Sequence, residues 1–168
     1  MSLDPQTYGQ QAEQALNDQI ERSNRLSPEE MSEEFAAIYH DYAREGECGG
    51  VDISAGGDES ILTPAFISDN SPNTITQIAN ALCDYWESFT TPGDAEVLDV
   101  VVSVEPDASA QRAPMESAII DYINSGDTRD GWTGWYNATQ DIVSQIPFAV
   151  TEQDTSTGST ETFTRFVT

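Results

Sequence analysis

The sequence predicts an α+β fold: four to five helices packed on a small, mostly antiparallel sheet that ends in a C-terminal β-hairpin. Three observations carry it. Apolar residues recur at helical spacing in several capped segments. The period then drops to two over Leu98, Val100, Val102 and Val104, with Asp99, Ser103 and Glu105 between them. Finally, Phe148 and Val150 are followed by the polar run Thr155-Ser156-Thr157-Gly158-Ser159 and a returning segment from Thr162 to Val167, which is a hairpin signal.

Each element has local causes. Asp4-Pro5 is an N-cap and first-turn pair, and Tyr8, Ala12, Ala15, Leu16, Gln19 and Ile20 follow in a thin helical stripe that ends near Arg25. So thin a stripe needs a partner or the rest of the chain for its order. Residues 1–26 are therefore expected to form an N-terminal helical extension, and residues 27–168 a single α+β domain. Ser27-Pro28-Glu29-Glu30 supplies cap, first-turn proline and the glutamate of a capping box. Met31, Phe35, Ile38 and Tyr42 then predict a helix over residues 28–45, closed by Gly46.

Glycines at 46, 49, 50, 56 and 57, with Pro64, predict a long loop with short extended pieces at Val51 to Ile53 and Ile61 to Ile67. Ser71-Pro72 opens the next helix, lined by Ile75, Ile78, Ala79, Leu82 and Trp86, and Thr91-Pro92-Gly93 stops it. After the strand, Glu105-Pro106-Asp107 turns the chain. One further helix is expected from about Ala110 to Asn124, burying Met115, Ala118, Ile119 and Tyr122. Another runs from Gly131 to Ile146 with Trp132, Trp135, Tyr136, Thr139, Ile142 and Val143 in register, and Pro147 ends it.

Charge is the dominant compositional signal. The 168 residues include 30 Asp and Glu against 6 basic residues, a formal net charge of -24. Small domains usually carry a magnitude of about 2–8, and self-repulsion on this scale destabilises a compact state in dilute buffer. In molar salt the Debye length falls to about 3 Å and the repulsion is screened. All 6 basic residues are arginines, at positions 22, 25, 44, 112, 129 and 165, and lysine is absent. A surface without lysine stems and rich in short carboxylates is the pattern of proteins from organisms that keep molar salt in the cell, with an acidic intracellular protein or a mimic of nucleic acid as the alternatives. With no basic patch to neutralise phosphates, direct nucleic-acid binding is not expected.

Few residues are arranged for chemistry, and no catalytic, cofactor or metal residues are expected. His40, the sole histidine, lies beside Asp41 with no nucleophile elbow in the sequence. Pairs such as Glu29 with Glu33 and Glu30 with Glu34 share helix faces, as chance provides in so acidic a chain. Asp52, Asp58 and Glu59 lack the ligand spacing of a calcium loop, and the glycine pairs lack a phosphate-binding lysine. Cys48 and Cys83 are expected to be buried free thiols. Asn137-Ala138-Thr139 matches a glycosylation acceptor, but inside a helix. Met1-Ser2-Leu3-Asp4-Pro5 has neither a basic nor an apolar signal region, and no apolar run approaches the ~20 residues of a membrane span. Aromatic residues stand out instead. Trp86, Trp132, Trp135, Phe163 and Phe166 are the candidate packing and interface anchors. Phe163 and Phe166 fall on opposite faces of one short segment, so a partner is expected to cover one of them.

The helix Ile78-Ala79-Asn80-Ala81-Leu82-Cys83-Asp84-Tyr85-Trp86, the break at Phe89-Thr90-Thr91-Pro92, a valine-rich segment, a further helix and a Thr/Val-rich C-terminal strand resemble small structural proteins encoded near the head and tail genes of tailed viruses. The likeness covers residues 28–168. Members of that group are richer in alanine and carry a longer helical region where this chain has its glycine-rich loop, which leaves the structural role open. With the salt signature, the resemblance implies a virion protein of a haloarchaeal tailed virus, assembled in the host cytoplasm. It implies a homo-oligomeric ring that contacts a portal, an adaptor or the tail tube, as a neck, head-tail connector or tail-completion component. A capsid-decorating protein of the same virion, or a small acidic cytoplasmic binding or regulatory protein of a halophile, are the other readings.

Overall fold

The computed structural model describes residues 2–21, 26–63, 74–90, 100–125 and 131–168. Within them the chain is α+β, with five helices, a two-stranded and a three-stranded antiparallel sheet, and the expected C-terminal hairpin. The predicted helix end near Arg25, the Ser71-Pro72 start, the Thr91-Pro92-Gly93 stop, the strand start at Leu98 and the stretch 64–67 lie outside the described residues.

Helix α1 (Pro5–Glu21) begins where Asp4 accepts from the Thr7 backbone N–H at 3.1 Å and from its hydroxyl at 2.6 Å. Although set apart in the sequence as an extension, it sends Tyr8 and Ala12, with Leu3 just before it, into the same apolar cluster as the remaining helices. Its packing partners are α5 (Gly131–Val143) and α2 (Pro28–Ala43). The capping box of α2 forms in full. Ser27 Oγ accepts from the Glu30 N–H and Glu30 Oε1 accepts from the Ser27 N–H, both at 3.1 Å.

The face that α2 buries differs from the predicted stripe. Ser32, Ala36, Tyr39, Tyr42 and Ala43 are buried, whereas Phe35 and Ile38 are only partly covered. The face is centred one position further on because Tyr39 turns its ring into an aromatic cluster with Tyr42, Tyr85, Trp135 and Tyr136, at centroid distances of 5.3–6.0 Å.

Of the two short extended pieces expected in the loop, the one at Val51 is present and the one at Ile61 is not. Glu47–Cys48 (β1) and Val51–Asp52 (β2) form a small hairpin, closed by Gly49 and Gly50 with φ of 60° and 85°. Positive φ at both central positions is what a two-residue hairpin turn needs, and glycine reaches it without strain. Extended backbone expected from Ile61 is instead the end of a 3₁₀ turn, Glu59–Ile61, started by Asp58 accepting from the Ser60 N–H at 3.1 Å and placing Leu62 in the core.

Helix α3 (Thr74–Glu87) carries Leu82, Cys83, Tyr85 and Trp86 into the interior. Strand β3 (Val100–Pro106) runs to Pro106, where a turn was expected, and leads through a 3₁₀ turn into α4 (Arg112–Asn124). Strands β4 (Phe148–Asp154) and β5 (Thr160–Arg165) complete the order β3-β4-β5. The register aligns Val104, Val150 and Phe163 across the sheet, and Pro106, Phe148 and Arg165 one pleat on. Only this end of the sheet lies on the core. Further along the same face, Glu152 and Glu161 pair in exposed positions. The C-terminus returns to β1 through a bridge between Cys48 and Val167, with the Thr168 N–H donating to the Glu47 carbonyl at 2.9 Å.

Candidate interaction surfaces

Solvent exposure sorts the five aromatic residues singled out in the sequence. Trp86 is fully buried; its indole N–H donates to Tyr39 Oη at 2.9 Å and its ring stacks on Phe89 at 5.0 Å. Of the two roles expected for it, packing or interface anchor, its burial fits packing. Trp135 is also buried, edge-on to Tyr39. Trp132 and Phe163 are half-buried, and Phe166 is 47% exposed. The structure thus places the other four in two separate settings, a recess among three helices and the outer edge of the sheet.

The recess is built where α1, α4 and α5 meet. Glu13, Tyr122, Gly131, Trp132 and Trp135 line a shallow cavity of about 230 Å³. Its two tryptophans stand nearly at right angles, with centroids 5.5 Å apart and planes inclined by 72°. Behind Trp132 lies Phe35, at 4.9 Å. Three contacts hold the geometry. Glu13 Oε1 accepts from the Trp132 backbone N–H at 2.8 Å, so an α1 carboxylate satisfies a donor in the first turn of α5. Tyr122 donates its hydroxyl to the Gly131 carbonyl. Gly131 itself has φ of 52°, and a Cβ there would come 1.7 Å from Glu13 Oε1, so only glycine leaves room for the carboxylate. Glu13 and Tyr122 were not among the interface candidates. Glu13 is one carboxylate in a very acidic chain, and nothing local in the sequence distinguishes it.

At the sheet edge, β5 pairs with β4 on one side and with no strand on the other among the described residues. Arg165 lies over the Phe163 ring, its guanidinium carbon 4.8 Å from the centroid, which covers part of that ring. Phe166 follows the strand and stays outside, while Val167 is buried.

His40 Nδ1 and Tyr85 Oη share a 2.6 Å hydrogen bond that links α2 to α3. Burial holds the imidazole below its ordinary pKa, opposed by the Glu59 carboxylate, assisted by Arg44, and opposed further by Asp41 and Asp58. Cys48 and Cys83 are buried free thiols, each pushed up to about 11 by burial. Among the described residues, no group of three or more His, Cys, Asp or Glu side chains is placed to hold a metal ion, and no helix is long and apolar enough to cross a membrane. The arrangement is suited to binding through apolar and aromatic contacts.

No family model, curated protein or solved structure matches this chain.

Proposed function

We propose that this protein is a non-enzymatic structural component that acts by self-assembly, as a ring-forming neck, head-tail connector or tail-completion protein of a haloarchaeal tailed virus. One observation supports the assembly reading most directly. The outer edge of β5 is open among the described residues and is followed by Phe166, 47% exposed, one of four large apolar side chains exposed among the described residues of a very acidic chain.

An open strand edge offers a row of backbone donors and acceptors to another chain, and β5 carries neither lysine nor proline to discourage pairing. Its opposite number, β3, pairs on one side only among the described residues. Joining β5 of one copy to β3 of the next is a heterologous contact, the type that closes into a ring when the rotation permits. Copies carrying -24 each repel strongly in dilute buffer, so the contact depends on molar salt. The virus setting rests on the resemblance of residues 28–168 together with this salt signature.

Light scattering after chromatography in molar salt tests assembly: a discrete ring-sized species is expected, and a monomer at every accessible concentration removes the proposal. Mass spectrometry of purified virus particles tests the setting. A capsid-decorating protein would be found there at capsid-scale copy number, and a connector at ring-scale copy number. The aromatic recess favours a second reading, a small acidic binding protein of a halophile, which predicts absence from particles.

A further inference from the structure

We infer that the recess between α1, α4 and α5 is a binding site for a methylated ammonium group. This assignment is independent of the assembly proposal, because it concerns a different surface. Three aromatic side chains, Tyr122, Trp132 and Trp135, and one charged group, Glu13, line it. Aromatic faces attract a cation placed within about 6 Å of the ring centroid, and tryptophan does so best. The two indoles meet edge to face, with centroids 5.5 Å apart and planes inclined by 72°, so they bring differently oriented parts of their rings to the recess rather than one flat stack. Glu13 adds the only formal charge in the lining, and it is negative.

The same walls discriminate between kinds of cation. A divalent metal ion of the calcium type needs about six to eight oxygen ligands, and here one carboxylate supplies two oxygens, of which Oε1 already accepts from Trp132 N–H. Hydrated alkali ions gain little from three rings. A quaternary ammonium ion spreads its charge over methyl groups, is weakly hydrated, and can bury those methyls against the rings while facing the carboxylate. Apolar contact between the methyl groups and the rings is also insensitive to molar salt, where a Debye length of about 3 Å screens exposed charge pairs. The volume of about 230 Å³ lies below the roughly 300–1,000 Å³ of sites for drug-sized ligands, so it takes a headgroup rather than a large molecule.

The walls are fixed in advance. Tyr122 is held through the Gly131 carbonyl, and a Cβ on Gly134 would come 2.6 Å from the Tyr122 ring, so both glycines of the Gly-Trp-Thr-Gly segment serve the recess. Phe35 supports Trp132 from the α2 side. Such preorganisation spares the ligand the entropy of ordering the rings.

The test is titration of the whole protein in molar salt with choline, tetramethylammonium and the neutral isostere 3,3-dimethyl-1-butanol, read by calorimetry and by the indole N–H resonances. Both ammonium ions are expected to saturate and to move the Trp132 resonance while leaving that of buried Trp86 in place. The neutral isostere should bind about tenfold more weakly, in line with the strength of a desolvated cation–π contact. Glu13→Gln retains the oxygen that accepts from Trp132 N–H but not the charge, and should weaken choline binding several-fold, with an unchanged melting curve showing that the fold is intact. A trimethyllysine peptide forms the last arm: affinity equal to choline assigns the site to free headgroups, and a clear gain assigns it to a modified protein side chain. Equal binding of the neutral isostere overturns the proposal. So does absence of saturation, or a response centred on any tryptophan other than Trp132 and Trp135.

Discussion

The indole N–H of Trp86 on α3 donates to the phenol oxygen of Tyr39 on α2 across 2.9 Å, with both side chains fully withdrawn from solvent. One helix turn along α2, Tyr42 is equally buried, but its hydroxyl has no hydrogen-bond partner among the described residues. Neighbouring tyrosines in one aromatic cluster therefore respond differently to loss of the oxygen. Tyr39→Phe strands a buried donor and should cost about 1–3 kcal/mol, whereas Tyr42→Phe removes an unsatisfied group and should be neutral or stabilising. Denaturant unfolding of the two variants in molar salt measures this. Equal destabilisation would mean that the two hydroxyls are satisfied alike.

Gly9 sets how closely α1 approaches α5. A Cβ at position 9 would lie 2.4 Å from the Thr133 Cα and 2.6 Å from its backbone nitrogen, and backbone cannot swing aside as a side-chain tip can. Alanine at an unconstrained helix position would add up to about 1 kcal/mol of stability. At position 9 overpacking reverses the sign, and Gly9→Ala should destabilise by about 1–3 kcal/mol. Gln10→Ala, on the exposed side of the same helix, is the control and should change little. A neutral Gly9→Ala would show α1 to be a loosely attached extension.

Elements written in local signals are legible in the amino-acid sequence alone. Ser27, Pro28 and Glu30 announce the start of α2, and period-two valines announce β3. Features that depend on residues distant in sequence are not. The Gly49-Gly50 hairpin is hidden because strands of two residues have no period to detect. Hydrophobicity ranks Phe35 and Ile38 above Tyr39 and so misplaces the buried face of α2, yet tyrosine buries a large ring whenever its hydroxyl finds a donor such as Trp86. The recess joins residues 13, 122, 131, 132 and 135, with Trp132 standing 119 positions after Glu13. Only its tryptophans carry a visible signal, and the two glycines spaced around Trp132 and Thr133 are the remaining clue.

His40 gives a pH dependence whose sign is fixed by burial. Its folded pKa lies below the ordinary value, chiefly through desolvation, so the unfolded chain binds the proton more readily. The contribution is therefore fully present above the unfolded imidazole value of about 6.5. It is lost as pH falls from there through the folded pKa, below which no further loss accrues. Salt should deepen the depression. Glu59 opposes burial more than Arg44 assists it, and screening weakens both, so the net upward pull fades. Because His40 is the sole histidine, one imidazole resonance reports the whole titration. A folded pKa above that of the unfolded chain, or one that rises with added salt, would contradict this account.

Arg112 separates local from global charge effects. Its Nη2 lies 2.5 Å from Asp84 Oδ1 and 2.6 Å from Glu87 Oε1, and Nη1 reaches the Asn80 carbonyl at 3.3 Å, which ties the start of α4 to α3. In a chain of -24, a cation set between two carboxylates also relieves repulsion along α3. Arg112→Gln should cost about 1 kcal/mol in dilute buffer and less in molar salt, since part of the effect is screened. Over the same range, the unmodified protein should gain stability steadily as repulsion among its carboxylates is muted. Thermal melts of both proteins across a potassium chloride series distinguish the two effects, because the gap between the curves should close while both rise. A wild-type curve already flat in near-pure water would mean that the carboxylates are tolerated without screening, and the halophilic reading would lose its physical basis.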